Sequence, residues 1–200
     1  MQQTIFLILI LLFVIVNVFY KKFKYNQLLS SEVVMENIKR VNSFLKELEE
    51  RKNDYIVYTF EDEIKRKYKD LYDFFSKTPF SRIKEEKVIT FKDIWANLNN
   101  YIKKWNEDYV KRELDLNKEL FNNIDGKSLD EQQRRAVVVD ELNNLVLAGA
   151  GSGKTLTISA KVKYLVECKN IRPKDILLIS FTTKAAEEMY QRISQKLNVD

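Results

Sequence analysis

Residues 148–155 read Ala-Gly-Ala-Gly-Ser-Gly-Lys-Thr, a spacing suited to holding phosphates. Gly149, Gly151 and Gly153 let the backbone curl so that successive N–H groups face one concave site. A helix opening near Gly153 would aim its positive end at the same place. Lys154 is then positioned to reach the β- and γ-phosphates of a nucleoside triphosphate, with Thr155 Oγ as a ligand of Mg²⁺. The expected binding set is Ala148, Gly149, Ala150, Gly151, Ser152, Gly153, Lys154 and Thr155, with Lys154 and Thr155 in the catalytic role. Ala148 departs from the general pattern, which opens with Gly.

The elements needed to position this loop can be read on either side of it. Leu145 to Ala148 reads as a short buried strand entering the loop, and Lys154 to about Glu167 as a helix with Ile158, Val162, Leu165 and Val166 inward. Asn170 to Pro173 breaks that helix, Ile176 to Phe181 reads as a second buried strand, and Thr183 to about Leu197 as a second helix. Strand, loop, helix, strand, helix with short connections predicts a right-handed crossover and a parallel sheet, the start of an α/β nucleotide-binding domain. Val137-Val-Val-Asp-Glu141 has the look of a metal-binding strand, but it precedes the loop by only a few residues. A helix ending near Glu141, then a turn at Asn143-Asn144, fits better.

Composition limits the alternatives. One cysteine, Cys168, and no histidine exclude an internal disulfide, Cys/His zinc sites and His-based triads within these residues. The net charge of +5 mildly favours an anionic partner. All 34 basic and 29 acidic residues lie beyond residue 20.

Ile5 to Tyr20 is nearly unbroken Ile, Leu, Phe and Val. With Thr4, it would span roughly 26 Å as a helix. Lys21, Lys22 and Lys24 follow, which places the C-terminal side in the cytoplasm. The expectation is a membrane anchor through residues 4–20, against a cleaved signal peptide or a buried soluble helix. Leu28 to about Asn53 is helical, with a seam of Val34, Ile38, Val41, Leu45 and Leu48 and the i,i+4 pairs Glu36–Arg40 and Glu47–Arg51. An antiparallel helix hairpin accounts for the seam better than a coiled coil. Tyr55 to Phe60 alternates weakly, like a strand, and Glu61 to Lys77 is helical.

Thr90-Phe-Lys-Asp93 and Ser128-Leu-Asp-Glu131 both read as capping boxes. The stripe from Phe91 to Tyr109 could be core or could stack bases of single-stranded nucleic acid; core is the ordinary use. Its helix, or a second one, runs to about Phe121, and Asp125-Gly126 stops it.

Three blocks together resemble the opening motifs of superfamily 1 DNA helicases of the UvrD/Rep type. Residues 148–155 are similar to that family's phosphate loop, including the leading Ala148. Leu129-Asp-Glu-Gln-Gln133-Arg-Arg-Ala-Val137 resembles its Q motif, with Asp130 where Asn is usual. Ser180-Phe-Thr-Thr-Lys-Ala-Ala-Glu-Glu-Met189, with Arg192, looks like motif Ia, with Thr183 where Asn is usual. Trp105, Tyr109, Leu120-Phe121 and Ile124 resemble the lead-in of the helicase IV-like branch.

The resemblance implies ATP with Mg²⁺ as cofactors, Gln133 reading the adenine edge, and hydrolysis coupled to movement on single-stranded DNA. It implies Phe181, Thr182, Thr183 and Lys184 as DNA contacts, while a core role for Phe181 at the end of a strand stays open. The domains expected are 1–20 as a putative transmembrane anchor, 21–127 as a mainly helical accessory region, and 128–200 as the start of the ATP-binding domain. These residues are expected to be the N-terminal portion of a longer enzyme. They are expected to be inactive alone, because no Asp-Glu pair follows the loop. The rival is a membrane-tethered nucleotide-binding regulatory module without helicase activity. The expected location is the cytoplasmic face of a membrane, or the cytoplasm if α-helical anchoring fails.

Overall fold

A computed structural model describes residues 2–197, with side chains for all of these except 2–5, 192 and 194–197. The described residues are mainly helical: α1 (Gln2–Leu29), α2 (Glu32–Arg51), α3 (Phe60–Ser76), α4 (Glu86–Ala96), α5 (Leu98–Leu116), α6 (Lys118–Asn122), α7 (Glu131–Val138), α8 (Lys154–Glu167) and α9 (Thr183–Leu197). They divide into two compact units, one of residues 1–51 and 59–101, the other of 52–58 and 102–200. Residues 102–127, expected with the helical accessory region, therefore fold with the glycine-rich loop.

In the first unit, α1 is longer than the apolar run that announced it. It continues past Lys21, Lys22 and Lys24 to Leu29, and the most apolar 18 residues within Phe6–Leu29 have a mean hydropathy of 2.2 with none of them buried. The unit's core lies between α2, α3 and α4, where Phe44 meets Tyr68, Phe91 and Trp95 with ring centroids 5.2, 4.9 and 6.4 Å away. Tyr72 stacks on Trp95 at 5.0 Å. Trp95 and Phe91 are therefore core, which is how this part of the stripe is used. Phe44, not Leu45, takes the buried position on α2.

Neither expected i,i+4 pair on α2 forms, because better partners lie across the bundle. Arg40 makes two parallel hydrogen bonds to Asp70, at 2.8 and 2.9 Å, and Glu47 accepts from Lys67 and Tyr68. The fork of Arg40 holds the Asp70 carboxyl below the usual carboxylate range, and a planar bidentate pair outcompetes a single contact on an exposed helix face. Thr90 does not cap a helix either. It sits inside α4 and donates back to the Glu86 carbonyl at 3.0 Å, so the helix opens four residues before the expected start.

In the second unit, Tyr109, Val110, Phe121, Ile124, Leu129, Val137, Val138, Ala160 and Tyr164 form one buried cluster. The Tyr55–Phe60 stretch is not a strand. Its Ile56 N–H and carbonyl instead pair with the Asn106 carboxamide, both at 2.8 Å, so one side chain stands in for a neighbouring strand. Lys161 on α8 donates to the carbonyls of Val137 and Val139, clamping α8 to the end of α7. Val137 and Val138 are helical, in keeping with the rejection of a metal-binding strand there.

The sheet is where the sequence reading and the structure part. Among the described residues there is no β-strand, only an isolated antiparallel bridge between Ile124 and Lys127. The segments expected as buried strands run without ladder partners, and Leu145, Leu147, Leu177 and Ile179 are 84, 87, 82 and 84% exposed. A strand exists only by pairing its N–H and C=O groups with a neighbour. Ile158 on α8, expected inward, is likewise exposed.

Beneath the second unit's core, Glu113 is buried and accepts from Tyr164 Oη at 2.5 Å and Lys169 Nζ at 3.0 Å. Burial opposes its ionisation, but these two donors outweigh burial and hold the carboxyl below its ordinary value. A lowered folded pKa means the stabilisation is complete above the unfolded carboxylate value of about 4.3 and disappears as pH falls through the lower folded one. Glu113→Gln is expected to remove that part of the acid dependence of urea unfolding. Phe44→Ala, opening a cavity under three rings, is expected to cost about 3–5 kcal/mol by the same measurement.

Candidate functional site

The site is assembled from the start of α7, the loop before α8 and the first turn of α8. Asp130 caps α7 and accepts from Gln133 N–H at 2.9 Å, while Gln133 Oε1 accepts from Asp130 N–H at 3.0 Å. The capping box therefore begins at Asp130, two residues after the Ser128 start expected from the sequence. Ser128 instead lies before the helix, where its hydroxyl accepts from Arg134 at 2.9 Å.

The same Gln133 side chain reaches the loop, donating from Nε2 to the Ser152 carbonyl at 3.1 Å. Each carboxamide atom is thus used once, which leaves one N–H and one lone pair for a ligand. The approach is close: a Cβ on Gly153 would lie 2.8 Å from Gln133 Nε2. Gly153 also has φ +82° as the residue preceding α8, and Gly151 has φ +76°, the left-handed geometry that favours glycine.

Lys154 folds back over the loop and donates to the Gly149 carbonyl at 2.8 Å and the Ala148 carbonyl at 3.4 Å. Ser152 Oγ donates to the same Gly149 carbonyl at 2.8 Å. A phosphate could take Lys154 over from these neutral acceptors, since a charged acceptor makes the stronger bond. Thr155 is half-buried on the first turn of α8. Gly151 to Leu156, with Gln133, Asp130, Ser128 and Lys127, line a cavity of about 750 Å³. Helix N-terminus, lysine and size together suit a polyphosphate with its cation.

Lys127 and Arg134 are the residues that motif reasoning missed. Lys127 follows Gly126, whose φ of +76° and Asp125 neighbour form the tight turn that brings the lysine to the cavity wall. Arg134 donates to the Leu129 carbonyl and to Asn122, pinning that turn to α7. The turn signal at Asp125-Gly126 was legible; its destination was not.

Phe181, Thr182, Thr183 and Lys184 lie together at the start of α9, all exposed. Phe181 is fully exposed, so it is not a core residue in this structure. Thr182 Oγ1 accepts from Ala185 N–H at 3.2 Å, capping the helix. Arg192 of the same motif lies outside the residues with described side chains. Cys168 is half-buried, and burial raises its thiol above its ordinary pKa, consistent with a small apolar residue.

A family model described as the UvrD/REP helicase N-terminal domain matches residues 129–200. The resemblance to the UvrD/Rep type holds there. DNA helicase IV of Escherichia coli (strain K12) is 40% identical over 95 residues, covering 48% of this chain and 14% of that protein. DNA helicase II of the same organism is 47% identical over 68 residues, 34% of this chain and 9% of the relative. A putative ATP-dependent DNA helicase of Bacillus subtilis (strain 168) is 38% identical over 88 residues, 44% of this chain and 11% of the relative. The chain thus spans about a tenth of the length of these UvrD-type relatives. No solved structure matches.

The contact between Gln133 and the loop can be probed at Gly153. Gly153→Ala is expected to lower stability by about 1–2 kcal/mol, from the positive φ and the approach to Gln133. Gly149→Ala, whose Cβ would meet nothing within 4 Å, is expected to stay within about 0.5 kcal/mol in the same urea titration.

Proposed function

We propose that this chain belongs to an ATP-dependent DNA helicase or translocase and supplies part of its ATP site. The observation that carries the reading is the Gln133 carboxamide, which bridges the start of α7 and the Ser152 carbonyl of the loop. In this reading its remaining N–H and lone pair take the adenine edge, while the N–H groups of Ala148 to Gly153 and Lys154 take the phosphates. Thr155 takes Mg²⁺, which would neutralise charge developing on the transferred phosphoryl group. Phe181 stacks on a base of single-stranded DNA, and Thr182, Thr183 and Lys184 contact its backbone. Their shared exposure at the head of α9 supports this.

Leu145–Ala148 and Ile176–Phe181 are proposed as strands of a parallel sheet in the working enzyme. Two apolar stretches with free backbone groups and exposed side chains are what a sheet would cover. α1 is proposed as a membrane anchor, with the rest of the chain on the cytoplasmic side. Its apolar part, residues 4–20, would measure roughly 26 Å, close to a ~30 Å hydrocarbon core. These 200 residues are proposed to bind ATP without turning it over, since the cavity offers no carboxylate besides Asp130, which is engaged in capping.

A fluorescent ATP analogue titrated into the detergent-solubilised chain tests this. Mg²⁺-dependent binding is expected, weakened at least about tenfold by Lys154→Ala through loss of a charge-assisted contact. Binding that ignores both Mg²⁺ and Lys154→Ala would count against the site. DNA-stimulated hydrolysis by these residues would refute the binding-only assignment.

A further inference from the structure

Beside the foot of α1, and separate from the loop, lies a cavity of about 820 Å³. Lys21 and Lys24 of α1 line it together with Arg82, which arrives from a 3-10 turn at Phe80–Arg82. Tyr20, Tyr25, Gln27 and Ser31 complete the polar and aromatic part of its wall, and no carboxylate lines it. None of the three cations has a carboxylate partner among the described residues. Three cations from two stretches of chain thus share one concavity without an internal anion to balance them. The wall is built rather than incidental: Tyr25 Oη accepts from the Lys84 backbone N–H at 2.9 Å, tying α1 to the segment after Arg82. Lys24 Nζ lies 5.9 Å from the centre of the Tyr20 ring.

The depth of this cavity along α1 decides what would fill it. The apolar run ends at Tyr20, and Phe19, Tyr20 and Phe23 are exposed there, the aromatic girdle of a membrane–water interface. α1 continues unbroken, so Lys21 to Tyr25 lie roughly 1.5–7.5 Å beyond the end of the apolar run. The headgroup layer is about 5–7 Å deep on each side of the hydrocarbon core. With α1 crossing a bilayer, the cations would sit at the level of lipid phosphates.

We infer that this cavity binds the headgroup of an anionic phospholipid of the membrane that α1 enters. This rests on the reading of α1 as an anchor. Lys21, Lys24 and Arg82 would hold the phosphate, and Tyr20, at the membrane end of the same wall, would face the apolar part of the molecule. Such a site fixes the rotation of α1 about its axis as well as its depth, because only one face of the helix carries the cavity.

The test uses the full chain in bilayer nanodiscs of phosphatidylcholine with one-fifth phosphatidylglycerol. Lipids retained after gentle extraction are counted by native mass spectrometry, and alkaline carbonate extraction of membranes is run in parallel. Phosphatidylglycerol is expected to be retained about tenfold more than its share of the bilayer, from three near-surface cations. Lys21→Ala/Lys24→Ala/Arg82→Ala should bring that enrichment to unity while the protein still resists carbonate. Lys22→Ala, a neighbour outside the cavity, should leave it unchanged. Enrichment that survives the triple substitution, or falls as far with Lys22→Ala as with Arg82→Ala, would overturn the site and leave the anchor standing. Release by carbonate would overturn the anchor, and the lipid site with it.

Discussion

Gln133 holds two things in place with one planar group. Its Oε1 closes the first turn of α7 against the Asp130 N–H, and its Nε2 holds the Ser152 carbonyl of the loop. The contact brings Gln133 so close to the loop that a Cβ on Gly153 would lie 2.8 Å from Nε2 and push the carboxamide aside. Around this contact the second unit builds its supports: Arg134 pins the turn that carries Lys127, and Lys161 fixes α8 to the end of α7. Each is a hydrogen bond from a long side chain to a backbone carbonyl. Such bonds position the backbone without demanding a large apolar interface.

The first unit is organised by aromatic packing instead. Phe44 touches rings from α3 and α4 in edge-on and tilted geometries, and Tyr72 lies flat on Trp95. Polar groups on its surface then choose partners by reach and geometry. Arg40 prefers Asp70 across the bundle to the local Glu36, and Glu47 prefers Lys67 and Tyr68 to Arg51. Local spacing permitted the helical pairs; partners across the helices won, by a bidentate fork at Arg40 and by two donors on one oxygen at Glu47.

Much of the helical content was legible because amphipathic periodicity is a local property. α8 was expected from Lys154 to about Glu167 and runs over those residues, and α3 ends within a residue of the expected bound. The glycine-rich loop was legible too, since Gly151 and Gly153 adopt the positive φ that their type allows. The capping boxes were less so. The Ser/Thr-x-x-Glu/Asp pattern occurs wherever such residues fall three apart, and Thr90 found an i−4 carbonyl to satisfy while Asp130 displaced Ser128. The expected strands are not formed among the described residues, for a different reason. Val, Ile and Leu runs state a preference for being covered, and coverage belongs to the partner, not to the run.

By itself the sequence determined the chemistry on offer: a turn that can curl around phosphate, a lysine and a threonine at its end, an apolar helix with lysines at its foot, and no thiol–imidazole chemistry. Those follow from residue types and short spacings, which the backbone expresses locally. Only the tertiary structure decided that Gln133 touches the loop, that Lys127 reaches the same cavity, that Trp95 is core, and that Arg82 joins Lys21 and Lys24. Each of these joins residues whose distance apart in the chain is bridged by folding, and helical periodicity carries no information about which remote face a side chain will meet.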